Sequence, residues 1–304
     1  MSRTLVVVAT AALVMGLHAL PGAQGRGDAR STPEPVEVVQ LRPHFYMIGG
    51  AGGNIAVQTG ANGTLVVDTG TAEAAPRALA AIQKVTTEPI SLIINTSPDP
   101  EYVGGNPVIA KAGRQIFEGI PGQETAIFAH EKVLLRMSAP TGQVSPFPTD
   151  AWPTDTFAQA RKDLFFNQEG VQIITVPAGH SDAASIVFFR GSEVVVAGKL
   201  LDATRFPVID LALRPIPFVT EGGATYVIPG RGRVYDKVDV VEYRDMMVVI
   251  RNVVADMIKR GMTVEQVKAA APAKPYETQY GSKTGPWTTE DFIAAVYQSV
   301  KAGK

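Results

Sequence analysis

The chain has 304 residues, 29 of them acidic and 28 basic, for a formal net charge of −1, with four histidines and no cysteine. That length allows one large domain or two small ones, and 45% hydrophobic against 19% charged residues excludes wholesale disorder. The charge balance carries no general attraction to nucleic acid or to an anionic membrane. The lack of cysteine excludes disulfides, thiolate zinc sites, iron–sulfur ligation and cysteine nucleophiles together, so imidazole chemistry must come from His18, His44, His130 or His180.

The N-terminus has the form of an export signal. Arg3 supplies a positive start, residues 5–17 are an apolar run short for a membrane span, and Ala23 and Gly25 occupy the small-residue positions of a cleavage site. Residues 1–25 are expected to be a signal peptide whose removal takes His18 with it. Residues 26–36, polar with two prolines, are a flexible lead-in, and 37–304 form a single domain. The protein is expected in the periplasm or secreted, with no membrane association after signal removal.

Strand pattern begins at Val38. Residues 45–48 and 54–59 alternate on either side of the glycine-rich turn at residues 49–53. A phosphate-binding glycine loop would open a helix, and this one leads into a strand, so a hairpin is predicted. Residues 64–68 and 90–95 read as buried strands, with an alanine-rich helix over 71–84 between them. A second helix is predicted over 123–137, carrying His130 on a helical face. The proline-rich stretch 139–155 reads as a loop.

The second half repeats the alternation. Strands are predicted at 171–176, 185–189, 193–197 and 224–228, then a long amphipathic helix over 237–260 closed by Gly261. Thr263 with Gln266, and Thr288 with Asp291, form capping boxes for two further helices. Gly63–Asp68 and Gly191–Val196 are alike, each a turn glycine followed by a buried strand, in corresponding places of the two halves. His44 is expected to pack in a turn, and Trp152 and Trp287 to pack or to line a groove. Strands alternating with helices define an α/β layered class.

Four apolar strands stop at polar or special residues: before Thr96–Tyr102, Pro177–Asp182, Gly198–Asp202 and Pro229–Arg233. Sites in α/β sheets form outside the carboxyl ends of strands, which gathers Asp99, Glu101, His180, Lys199 and Arg231 as candidates. A serine hydrolase built on Ser181 in the order serine, acid, histidine is excluded, because no histidine follows position 180; His44 or His130 would have to serve from upstream, which is not expected.

Val67-Asp68-Thr69-Gly70, Asn95-Thr96, Gly104-Gly105-Asn106, Gly179-His180-Ser181 and Val227-Ile228-Pro229-Gly230, in this order and spacing, resemble the metallo-β-lactamase superfamily from about Val38 to Val300. The resemblance implies a four-layer αββα sandwich of two similar halves and, for an intact member, zinc-dependent hydrolysis of ester, lactone, amide or thioester bonds. The family's first motif, Thr-His-x-His-x-Asp-His, supplies four ligands; here Ser97, Asp99, Glu101 and Tyr102 stand in those places. His180 matches the next ligand. Lys199 stands at the bridging aspartate and Arg231 at the last histidine, while Asp68 matches a position just behind the metal.

An ammonium or guanidinium offers no lone pair, and both repel a dication. Zinc needs three or four N, O or S donors. The expectation is therefore a degenerate site without zinc or another cofactor, in which Lys199 and Arg231 face Asp99 and Glu101 and tie the strand ends by salt bridges. Asp99, Glu101 and His180 also make a two-carboxylate, one-histidine set, opposed by the neighbouring cations. The cleft is left to an unnamed small molecule or protein partner, to metal-free acid–base chemistry through Glu101, His180 and Lys199, or to no function.

Overall fold

The computed structural model describes residues 35–114, 125–140, 142–176, 182–208 and 225–303. Residues 1–34 lie outside these, so the expected signal peptide and most of the expected lead-in fall outside the described residues. Residues 34–304 form one compact unit.

Two sheets follow one another along the chain. The first has seven strands in sequence order: β1 (Glu37–Arg42), β2 (Phe45–Ala51), β3 (Gly53–Gly60), β4 (Gly63–Val67), β5 (Ile90–Asn95), β6 (Ala126–His130) and β7 (Asp155–Phe157). β1 to β4 form an antiparallel meander, and β4 to β7 run parallel. The second has five: β8 (Arg161–Phe166), β9 (Glu169–Thr175), β10 (Ser185–Phe189), β11 (Val194–Asp202) and β12 (Tyr226–Arg231). Here too a meander gives way to a parallel pair, β11 with β12. The two similar segments of sequence, in β4 and β11, thus hold equivalent places: each has an antiparallel partner on one side and a parallel partner on the other.

Side-chain alternation builds the layers. In β4, Leu65 and Val67 face the second sheet while Val66 faces helices; in β11, Val194 and Val196 face the first sheet while Val195 and Ala197 face outward. A strand covered on both faces reads as a continuous apolar run, which is why neither segment shows a polar face. The inter-sheet core holds Phe45, Leu65, Val67, Ile94, Ile173, Phe189, Val196 and Ile228. Outside the first sheet pack α1 (Ala75–Val85) and α3 (Asn106–Lys111), through Ala78, Ile82 and Ile109. Outside the second packs α5 (Lys237–Lys259), through Val240 and Tyr243. Its Met246, Ile250 and Val254 join Phe292, Ile293 and Val296 of α8 (Thr289–Lys301). The result is the αββα sandwich.

The region predicted as a helix over 123–137 needs correction. Residues 126–130 are strand β6, and only α4 (Glu131–Met137) is helical. β6 lies between β5 and β7 with Ile127 and Ala129 buried, so ladder bonds and burial on two faces override helical propensity. His130 ends that strand instead of riding a helix; its Nδ1 accepts the Lys132 N–H at 3.2 Å and caps α4. The loop expected over 139–155 gives way at its end to β7, and β8 lacked a sequence signal because it is a charged edge strand. His44 is exposed, in a turn with φ +63°. Both tryptophans pack beside buried clusters. Among the described residues no helix is long and apolar enough to cross a membrane.

Candidate functional site

The site is assembled where β4 and β5 of one sheet meet β11 and β12 of the other. Just past β4 stands Asp68, whose N–H continues the ladder to the Ile94 carbonyl at 2.8 Å while its backbone turns left-handed at φ +61°. That turn aims the carboxylate at the end of β5. Its Oδ1 accepts the Thr96 N–H at 2.8 Å and its Oδ2 accepts the Thr96 hydroxyl at 2.7 Å. Asp68 is fully buried, and loss of solvation pushes its carboxyl up to about 7 against the opposing pull of the two Thr96 bonds.

Beyond Thr96 the chain runs through Ser97 and Asp99 into the short helix α2 (Pro100–Val103), which carries Glu101 and Tyr102. Ser97 is fully buried, and its hydroxyl donates to Asp99 Oδ2 at 2.7 Å. Tyr102 is buried, and burial together with the nearby carboxylates of Asp68, Asp202 and Glu101 strongly disfavours its ionisation. Its backbone carbonyl receives the Thr69 N–H at 2.8 Å.

Two glycines let the second sheet come close. β11 continues past a register shift at Gly198, which has φ +50°, and a Cβ there would lie 2.4 Å from Thr96 Oγ1. A Cβ on Gly230 would lie 2.4 Å from the Tyr102 hydroxyl. Because both strands extend beyond these glycines, Lys199 and Arg231 are strand residues and not loop residues. The Lys199 ammonium pairs with Asp99 Oδ2, the oxygen that also receives Ser97, and the Arg231 guanidinium donates to Glu101 Oε1 at 3.3 Å. The first pair is the more enclosed, with side chains 21% and 30% exposed, against 41% and 37% for the second.

The structure therefore brings together Asp68, Ser97, Asp99, Glu101, Tyr102, Lys199 and Arg231. His180 lies outside the described residues. Asp182, near it in sequence, pairs with Lys132 at 3.2 Å and with Arg136, so this carboxylate is held by α4. Two contributors went unrecognised from sequence. Thr96 satisfies both oxygens of Asp68, and Asn54 donates its amide to the Pro229 and Gly232 carbonyls at 2.9 Å, pinning the β12 end across the sheets. A polar residue opening an apolar strand was the available signal for Asn54.

Zinc, which an intact fold of this kind carries, does not fit this donor set. Asp99 and Glu101 are each paired with a cation, and those cations, Lys199 and Arg231, have no lone pairs to offer while charged. Among the described residues, no group of three histidine, aspartate or glutamate side chains is placed to hold a metal ion.

A model of the metallo-beta-lactamase superfamily matches residues 48–258, and the chain belongs to that superfamily. Solved structures agree on the fold. The stereoselective inverting sec-alkylsulfatase Pisa1 from Pseudomonas sp. superimposes with a TM-score of 0.57 at 15% identity, over 86% of this chain and 50% of that one. A double mutant of the sec-alkyl sulfatase PisA1 gives 0.60 at 13%, over 87% and 50%. A B3 metallo-beta-lactamase with an active-site glutamic acid gives 0.51 at 16%, over 70% and 88%. The chain thus spans half the length of the alkylsulfatases it matches, and at these identities the likeness is one of fold. No curated protein sequence matched the chain.

Proposed function

We propose that this chain is an exported protein of the metallo-β-lactamase fold in which two ion pairs stand in place of the metal centre, and that it acts as a binding protein and not as a zinc hydrolase. One observation carries the reading: the cations at two ligand positions, Lys199 and Arg231, are paired across the sheets with the carboxylates at two others, Asp99 and Glu101. In the family's plan a dication holds these strand ends together by attracting donors from both halves. Here fixed ammonium and guanidinium charges attract the same side of the site, and a metal entering would have to break both pairs and approach both cations. Export rests on the N-terminal sequence, with its positive start, apolar run and small residues before the expected cut.

Metal analysis of the purified, dialysed protein tests the central point. Zinc well below stoichiometric is expected, with no chelator-sensitive turnover of ester, lactone, amide or thioester substrates. Stoichiometric zinc retained through dialysis, or hydrolysis abolished by chelator, would overturn the reading. Expression of the full chain in a Gram-negative host followed by N-terminal sequencing tests export: a periplasmic product starting near Arg26 is expected, and a cytoplasmic product retaining residues 1–25 would contradict it.

A further inference from the structure

Beside Arg231 the ends of the two sheets enclose a cleft of about 790 Å3, a volume in the range of small-molecule sites. Its wall is partly apolar, through Val39, Met47 and Val234, and partly glycine backbone from the β2–β3 turn; among the described residues Arg231, Arg233 and Glu37 are its charged ones.

The cations near this cleft differ in what they have left to give. Lys199 is held by Asp99, which Ser97 also engages. Arg233 is bound through both terminal nitrogens to Asp239, and its guanidinium lies 4.9 Å from the centre of the Tyr235 ring. Among the described residues Arg231 makes one bond, from a single nitrogen, at 3.3 Å and with both partners well exposed. A guanidinium carries five N–H donors in a planar fork that matches the two oxygens of a carboxylate. Arg231 therefore keeps a fork's worth of donors at the edge of a half-apolar cleft. Glu37 in the same lining opposes a second negative charge on any occupant.

We infer that the cleft binds a monocarboxylate with a short apolar body, its carboxylate taken by the Arg231 fork in competition with Glu101 and its hydrocarbon against Val39, Met47 and Val234. This rests on the metal-free reading of the site, since zinc ligation there would require Arg231 to move away. The two are separable, because the metal content of each sample is measured independently of binding.

Isothermal titration with octanoate tests the inference on the full chain as purified, with 1-octanol as the uncharged control. Saturable binding to a single site is expected, with octanol weaker by about tenfold or more, the scale of one lost charge-assisted contact. Arg231→Ala should weaken octanoate to the level of octanol, and Arg231→Lys should lie between Ala and the parent, since an ammonium is a point charge without the fork. Glu101→Gln, which removes the competing carboxylate and keeps the shape, should tighten octanoate severalfold. Far-ultraviolet circular dichroism confirms that each variant is folded. No saturable binding by the metal-free parent, or equal affinity in the parent and the folded Arg231→Ala and Arg231→Lys variants, would overturn the inference while leaving the metal-free reading standing. Stoichiometric zinc in the parent would overturn that reading instead.

Discussion

Asp68 shows how one buried carboxylate couples the site to pH. Its ordinary value is 3.8 and burial lifts it to about 7 in the folded chain, so between those values the folded state retains a proton that the unfolded state has lost. Folding stability from this group is therefore highest at acid pH, falls as pH rises from about 4 to about 7, and levels off above; three pKa units correspond to on the order of 4 kcal/mol. Asp68→Asn keeps an acceptor for the Thr96 N–H and presents an amide donor to the Thr96 hydroxyl. Urea unfolding of parent and variant across pH 4–8 should show the parent losing stability relative to the variant as pH rises; a constant difference would mean Asp68 does not titrate in this window. Gly198 is the second residue of consequence. Alanine there meets both the φ of +50° and a contact of 2.4 Å to Thr96 Oγ1, so Gly198→Ala should cost about 1–3 kcal/mol in the same assay.

At the level of elements, the capped helix starts were legible, and strands β6, β7 and β8 were not. The capping boxes at Thr263 and Thr288 form as their sequence predicts, with side-chain and backbone groups exchanging bonds. α5 opens with a third box, not read from the sequence: Asp236 accepts from the Val238 and Asp239 N–H groups at 2.8 and 2.9 Å, and Asp239 accepts from the Asp236 N–H at 2.9 Å. Asp236→Ala should destabilise the protein by about 1 kcal/mol, read as a lower urea midpoint with an unchanged slope. These signals are legible because a cap is complete within four residues. β6 was misread for the opposite reason. Ala126–His130 is a strand by virtue of neighbours about 30 residues away on both sides, Ile93 pairing with Ile127 and Thr156 with Ala129. No pattern inside five residues encodes those partners.

For the whole molecule, the two ion pairs are charged ties between the sheets at the site, beside the Asn54 amide bonds, and their exposure ranks them. A double-mutant cycle on Asp99 and Lys199 should return the larger coupling, about 1 kcal/mol or somewhat more, since that pair is the less exposed and shares Oδ2 with Ser97. Glu101 and Arg231, more open to solvent, should couple by about 0.5 kcal/mol or less, and that coupling should vanish in high salt. Equal couplings in the two cycles would contradict the division between a structural pair and an arginine left free to engage a ligand.

The family and the two-half architecture were legible in the residues alone. Donor chemistry follows from residue type: while charged, Lys199 and Arg231 have no lone pair to offer, and apolar runs of strand length must be covered on both faces wherever they pack. What only the folded chain decided is pairing and reach. β11 and β12 run past Gly198 and Gly230, which carries Lys199 toward Asp99 and leaves Arg231 beside Glu101 with donors to spare. Those outcomes depend on where strands from opposite sheets stop and on how much solvent each pair keeps, quantities that arise from contacts between residues 100 and 130 positions apart.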